Sequence, residues 1–174
     1  MDDTTDSPTT GADVVAEPIH GCIERWHRHL NGELPGGLDA LLHEDCVFLS
    51  PIVFTPQRGR EVTKLYLRAA GGTLADVDPA ADAADGAAGL TDDGPFRYVK
   101  EIRQGHHAML EFETTIDVDG EAKYANGVDI ITCDDDGMIT EFKVMMRPLQ
   151  AIHAVHAQMQ AMLARLAGEE PPFA

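Results

Sequence analysis

The stretch from Tyr124 to Arg147, YANGVDIITCDDDGMITEFKVMMR, constrains the fold of this chain more than any other segment. Two runs rich in β-branched and apolar residues flank a tight Asp-Asp-Gly break, the pattern of two antiparallel strands joined by a hairpin turn. The first of these runs carries an acid, Asp129, beside Val128, Ile130 and Ile131. An ionised carboxylate is costly to bury among apolar side chains, so Asp129 either faces solvent or sits at a working site. Further strands precede the pair. His107 to Ile116 alternates Ala108, Leu110, Phe112, Thr114 and Ile116 with more polar residues, and Asp119-Gly120 reads as the turn into Ala122–Thr132. Phe96–Arg103 mixes apolar and charged residues, and Cys46–Ser50 is a short apolar run that ends at Pro51.

Helical spacing dominates elsewhere. Ile19, Cys22, Ile23, Trp26 and Leu30 fall on one helix face, and Asn31-Gly32 closes it. Leu38, Leu41 and Leu42 suggest a shorter helix after Pro35-Gly36-Gly37. Glu61 to Ala70 groups Val62, Leu65, Tyr66 and Ala69, with Gly71-Gly72 as the expected stop. A last helix, 149–167, follows Pro148 with Ile152, Val155, Met159, Met162 and Leu166 in a short heptad-like seam. That seam serves packing on its own domain or pairing with a second subunit. Helices first and a meander after them predict an α+β domain, with helices packed on the concave face of a curved antiparallel sheet. The expected organisation is an acidic disordered tail over 1–16, a domain over 17–148 and a C-terminal helix over 149–167. A flexible Ala/Asp/Gly-rich insertion is expected over 71–94.

At 174 residues the chain suits one domain with a substantial core. A net charge of −17 argues against nucleic acid and against anionic membrane surfaces as partners. No apolar run approaches the ~20 residues of a membrane-spanning helix. The polar, acidic start is unlike a signal peptide. Cys22, Cys46 and Cys133 are odd in number and far apart, which speaks against a disulfide framework and for reduced thiols in the cytoplasm. The histidines have no acidic partners at ligand spacing, so no metal and no cofactor is expected.

The segments ERWHRHLNGEL, LDALLHEDCVFLSP, RGREVTKLYLRA and GVDIITCDDDGMITEFKVMM, in this order and spacing, resemble the SnoaL-like branch of the nuclear transport factor 2-like superfamily. The resemblance spans roughly residues 19–146 and implies a cone-shaped α+β fold, usually dimeric. That fold hosts isomerases, cyclases, dehydratases, epoxide hydrolases and non-catalytic binding modules, so the resemblance speaks to fold more than to function. Beside ketosteroid isomerase, Asp129 falls where that family keeps a buried acid that donates a hydrogen bond. The family's catalytic tyrosine falls on Trp26, and its general base falls on Ser50. An indole N–H donates but does not usefully exchange its proton, and a lone serine is no base at neutral pH. Ordinary ketosteroid isomerase chemistry is therefore not expected.

Asp129 and His27 are the candidate catalytic residues, and Trp26, Ser50, Phe54, Tyr66, His107 and Met145 are the candidate pocket lining. Burial would raise the pKa of Asp129 and suit it to acid–base work. The alternative is a buried aspartate tied to Trp26, a tyrosine or backbone as part of the scaffold. The expected ligand is a small, largely apolar organic molecule, transformed by isomerase-, cyclase- or dehydratase-type chemistry. The competing class is a non-catalytic ligand-binding or protein-interaction module. A homodimer through the outer face of the sheet completes the expectation.

Overall fold

In a computed structural model, residues 17–74, 96–118 and 120–166 are described. The expected tail and nearly all of the expected insertion lie outside them, as does Asp119 of one expected turn. Helix α1 spans Pro18–Leu30, β1 Leu42–Leu49, β2 Gln57–Arg58 and α2 Arg60–Leu74. Strands β3 Arg97–Gln104, β4 His107–Val118, β5 Glu121–Cys133 and β6 Ile139–Arg147 follow, and α3 spans Leu149–Leu166.

Proline at the start of α1 suits a position whose N–H has no helical partner. At the other end, the Asn31 N–H bonds to His27 O and Gly32 takes a positive φ of 71°, which releases the chain. Ile19, Cys22, Ile23 and Trp26 are buried along one face of α1, as their spacing predicts. The expected second helix is only a 3-10 turn, Gly37–Ala40, and Leu42 already belongs to β1. Two leucines, Leu41 and Leu42, could serve either element; pairing of Leu42 with Ile139 decides for the strand. Nor does Gly71 stop α2. A glycine costs a helix only about 1 kcal/mol relative to alanine, and α2 is held here by packing of Ala69 and Ala70 with α3 residues such as Val155.

The six strands of the described residues form one sheet in the order β2-β1-β6-β5-β4-β3. Four of its five pairings are antiparallel, and β1 lies parallel to β6. The meander expected from the sequence is therefore present as β3 to β6, and the early strand β1 joins it beside the last. On the inner face Ala108, Leu110, Phe112, Thr114 and Ile116 are all buried, which fixes the register of β4. Asp129, between Leu110 and Val144 in the ladder, shares this inner face. The main core joins α1 to the sheet through Trp26, Phe48, Leu110, Ile131 and Phe142. A second cluster joins α2 and α3 to the far end of β4 and β5 through Ala69, Ile116, Ala125 and Val155. The three α-helices of the described residues thus lie on one face of the sheet, and the other face exposes Ile102, Met109, Tyr124 and Met145.

Gly127 makes room for this packing. A Cβ there would fall 2.3 Å from Phe112 Cζ and 2.5 Å from the Met145 carbonyl oxygen. Phe112 covers the bare backbone of Gly127 across the ladder and stacks on Phe96 with ring centroids 5.0 Å apart. No helix among the described residues is long and apolar enough to cross a membrane.

Candidate functional site

Asp129 is 5% exposed, at the centre of the sheet, with a paired strand on either side. Its Oδ2 accepts a hydrogen bond of 2.5 Å from the Tyr98 hydroxyl. The Tyr98 oxygen in turn accepts one of 3.0 Å from Trp26 Nε1. The direction of this relay follows from the indole, which can only donate. Tyr98 spends an acceptor position on Trp26 and sends its single proton to Asp129. Among the described residues, no donor other than Tyr98 hydrogen-bonds to Asp129, so a proton taken up by the carboxyl belongs on Oδ1.

Burial pushes the Asp129 carboxyl up from its ordinary 3.8 to about 7, and the Tyr98 hydrogen bond works against that rise. Burial dominates because a carboxylate loses its hydration in the apolar core, whereas one hydrogen bond returns only part of it. The Tyr98 phenol is held well above its usual range, first by burial and then by the negative charge of Asp129. It is therefore a donor that does not ionise, next to a carboxyl that changes charge near neutral pH.

Three elements place these groups. Trp26 is one turn from the end of α1, packed on Phe142 with centroids 5.1 Å apart. Asp129 is on β5 and Tyr98 on the edge strand β3. A register shift between Tyr98 and Lys100 interrupts the two-residue period of β3. Tyr98 opposite Phe112 and Glu101 opposite Leu110 consequently share the inner face, three residues apart. His27 follows Trp26 on α1. Its ring meets Tyr98 edge-on at 5.6 Å, and its Nε2 lies 2.5 Å from Glu101 Oε1, without hydrogen-bond alignment. Arg103 closes the group, with Nη2 2.5 Å and Nε 3.1 Å from Glu101 Oε2.

His29, also on α1, lies 5.6 Å from Trp26 between ring centroids, and burial followed by the charge of Arg68 pushes it down to about 4. It is a neutral imidazole at neutral pH.

The structure brings Trp26 and His27 to Tyr98, and through it to Asp129. It does not bring the other candidates there. Tyr66 packs on Phe48 at 5.5 Å, between the two core clusters. Ser50 Oγ accepts a hydrogen bond from the Ile52 N–H at 3.2 Å, a local turn contact. Phe54 is fully exposed. His107 and Met145 are on the outer face, because strand parity sets His107 opposite Thr132 and Met145 opposite Val128. His107 Nδ1 is 3.2 Å from Thr132 Oγ1 on that face. Among the described residues no group of three His, Cys, Asp or Glu side chains could hold a metal ion.

Tyr98 is the residue that sequence reasoning missed. In FRYVKEIR no alternation marks it as inward, since the register shift hides the period. The signal available was indirect: a buried acid needs a donor, and few donors stand in apolar strands of this chain.

No family model matches the sequence. No curated protein matches it either. Solved structures do. A steroid delta-isomerase from Pseudomonas aeruginosa is 27% identical, with a TM-score of 0.69 over 87% of this chain and 95% of that one. An uncharacterised bacterial protein with a cystatin-like fold from Silicibacter pomeroyi is 28% identical, with a TM-score of 0.63 over 83% and 86% of the two chains. A protein assigned as a SnoaL-like polyketide cyclase from Jannaschia sp. is 12% identical, with a TM-score of 0.56 over 80% and 92%, a likeness of fold alone.

Proposed function

We propose, for a chain whose fold is that of the ketosteroid isomerase-like and SnoaL-like proteins, that Asp129 transfers a proton to or from a small, largely apolar organic molecule. The observation that carries the reading is the state of this one carboxyl. It is buried and titrates near 7, with Oδ2 held by Tyr98 and no partner on Oδ1 among the described residues. A group with a pKa near the working pH is present in both forms and exchanges protons with little driving force either way. Below about 7 Oδ1 carries a proton and donates it; above about 7 the carboxylate accepts one. Tyr98 and Trp26 fix the carboxyl and supply a non-ionising donor beside it, and the apolar core favours an apolar substrate. The likeness to a steroid delta-isomerase supports isomerisation as the first reaction class to test, ahead of cyclisation or dehydration.

The test uses purified protein and a panel of apolar β,γ-unsaturated ketones, a steroid among them, with the absorbance of the conjugated product as readout. Turnover by the wild type that rises through pH 7 or falls through it, and that Asp129→Asn abolishes, supports the reading. Turnover retained in Asp129→Asn refutes it. A second reading, a non-catalytic binding module of the same fold, is favoured by one observation: among the described residues no histidine hydrogen-bonds to Asp129. Ligand binding without turnover, unchanged in Asp129→Asn, would select it.

We further read the exposed outer face with Ile102, Met109 and Met145 as the surface on which a second copy packs, since an antiparallel sheet buries a second face only against a partner. Light scattering that gave only the 18.8 kDa mass of one chain would overturn that assignment.

A further inference from the structure

We propose that His27 and Glu101 are positioning residues that hold the Tyr98 hydroxyl on Asp129. The inference rests on the reading of Asp129 as the proton-transfer group and adds what keeps its donor in place. Tyr98 stands on β3, the strand at the edge of the sheet, and among the described residues its backbone is paired on one side only, with β4. The aim of a side chain on such a strand must be set by contacts. Trp26 supplies one, through its N–H to the phenol oxygen. Two rings also stand edge-on to the tyrosine, each at an interplanar angle of 81°: Phe96, its neighbour on the same stretch, at 5.2 Å and His27, reaching over from α1, at 5.6 Å.

The His27 ring has a charged neighbour: its Nε2 lies 2.5 Å from Glu101 Oε1, a close contact without hydrogen-bond alignment, and each side chain is about a quarter exposed, at 26% and 27%. Glu101 is fixed in turn by Arg103, which reaches Oε2 with two nitrogens. The register shift in β3 makes this possible, because it places Tyr98 and Glu101 on the inner face with α1 above both. Trp26 and His27, consecutive on α1, therefore grip one phenol by its oxygen and by its ring.

The ionisable neighbours of the Asp129–Tyr98 pair can be named by element. From α1 they are His27 and His29, and from β3 Glu101 and Arg103. From α2 there is Arg68, beside His29. The β4 and β6 residues flanking Asp129, Leu110 and Val144, carry no charge.

The experiment is a carbon-13 NMR titration of the Asp129 carboxyl in the free protein. It needs no substrate, so its outcome is independent of whether Asp129 proves catalytic. Tyr98→Phe removes the hydrogen bond that favours the carboxylate and sets the full effect, a rise of about one to two pH units. His27→Ala is expected to raise the Asp129 midpoint by about half a pH unit. Glu101→Gln is expected to raise it as well, whereas a purely electrostatic effect of losing a negative charge would lower it. In the Tyr98→Phe background neither substitution should raise the midpoint further, because the rise acts through the phenol. His27→Phe keeps a ring against Tyr98 without the link to Glu101, and stands in if the alanine variant does not fold; a smaller rise is expected. A wild-type midpoint in His27→Ala or, in its place, His27→Phe, a fall in Glu101→Gln, or a rise that persists without the Tyr98 hydroxyl would each overturn the proposal.

Discussion

Replacing Asp129 by asparagine should make the protein more stable at alkaline pH and leave it nearly unchanged in acid. Asparagine has the shape of the neutral acid, and its side-chain oxygen can still accept the Tyr98 hydroxyl. What it removes is the cost of burying a charge. The folded-state pKa of Asp129 is about 7, raised from an ordinary 3.8. A raised pKa means that the folded state binds the proton more tightly than the unfolded chain. The favourable contribution is complete below about 3.8, declines as pH rises toward 7 and is gone above it. The gap of about three pH units, at 1.36 kcal/mol each, is worth about 4 kcal/mol as an order of magnitude. Urea denaturation of wild type and Asp129→Asn, followed by circular dichroism from about pH 4.5 to about pH 8, reads it directly. The difference in unfolding free energy should grow by about 1.4 kcal/mol per pH unit in favour of the variant until it levels off near 7. A difference that stays flat over this range would show that Asp129 is not a buried titrating acid, and the functional reading would fall with it. The comparison cancels every other ionisable group, including His29, whose slope has the opposite sign.

Gly127→Ala should lower stability by about 1–3 kcal/mol, because the new methyl must displace both the Phe112 ring and a backbone carbonyl; a melting temperature equal to wild type would contradict the packing. His29 has a folded pKa near 4, depressed from 6.5, so it favours folding above 6.5 and that contribution is lost as pH falls through 4. His29→Gln should therefore lose less stability than wild type between pH 6.5 and 4, and a parallel pH profile of melting temperature would refute the assignment.

Much of the architecture is legible in the residues. Alternation along β4 marks its buried side by residue type alone, and the spacing of Ile19, Cys22, Ile23 and Trp26 marks the face of α1. Asp129 stands out because a carboxylate between Val128 and Ile130 contradicts its surroundings. Three features escape for physical reasons. The parallel pairing of β1 with β6 is a contact between segments about 95 positions apart, and no local pattern encodes it. The continuation of α2 past Gly71 depends on α3, since tertiary packing outweighs a glycine's weak preference. The partner of Asp129 is hidden by the irregularity of β3: one extra residue turns an alternating strand into one with no period, and Tyr98 reads as an ordinary aromatic. His107 and Met145 are candidates by type alone, and parity sends both to the far side of the sheet.

The two ends of the 2.5 Å hydrogen bond stand on unequal ground. Asp129 belongs to a strand laced on both margins, so releasing it means tearing two ladders. Tyr98 belongs to the rim, laced among the described residues on one margin only. Thermal opening costs least where the fewest backbone bonds must break. Fluctuation therefore visits the phenol before it visits the acid. When β3 lifts, the carboxyl loses its donor while the rest of the sheet stays folded. The hold on the acid and the breathing of a single marginal strand are in this way one coordinate.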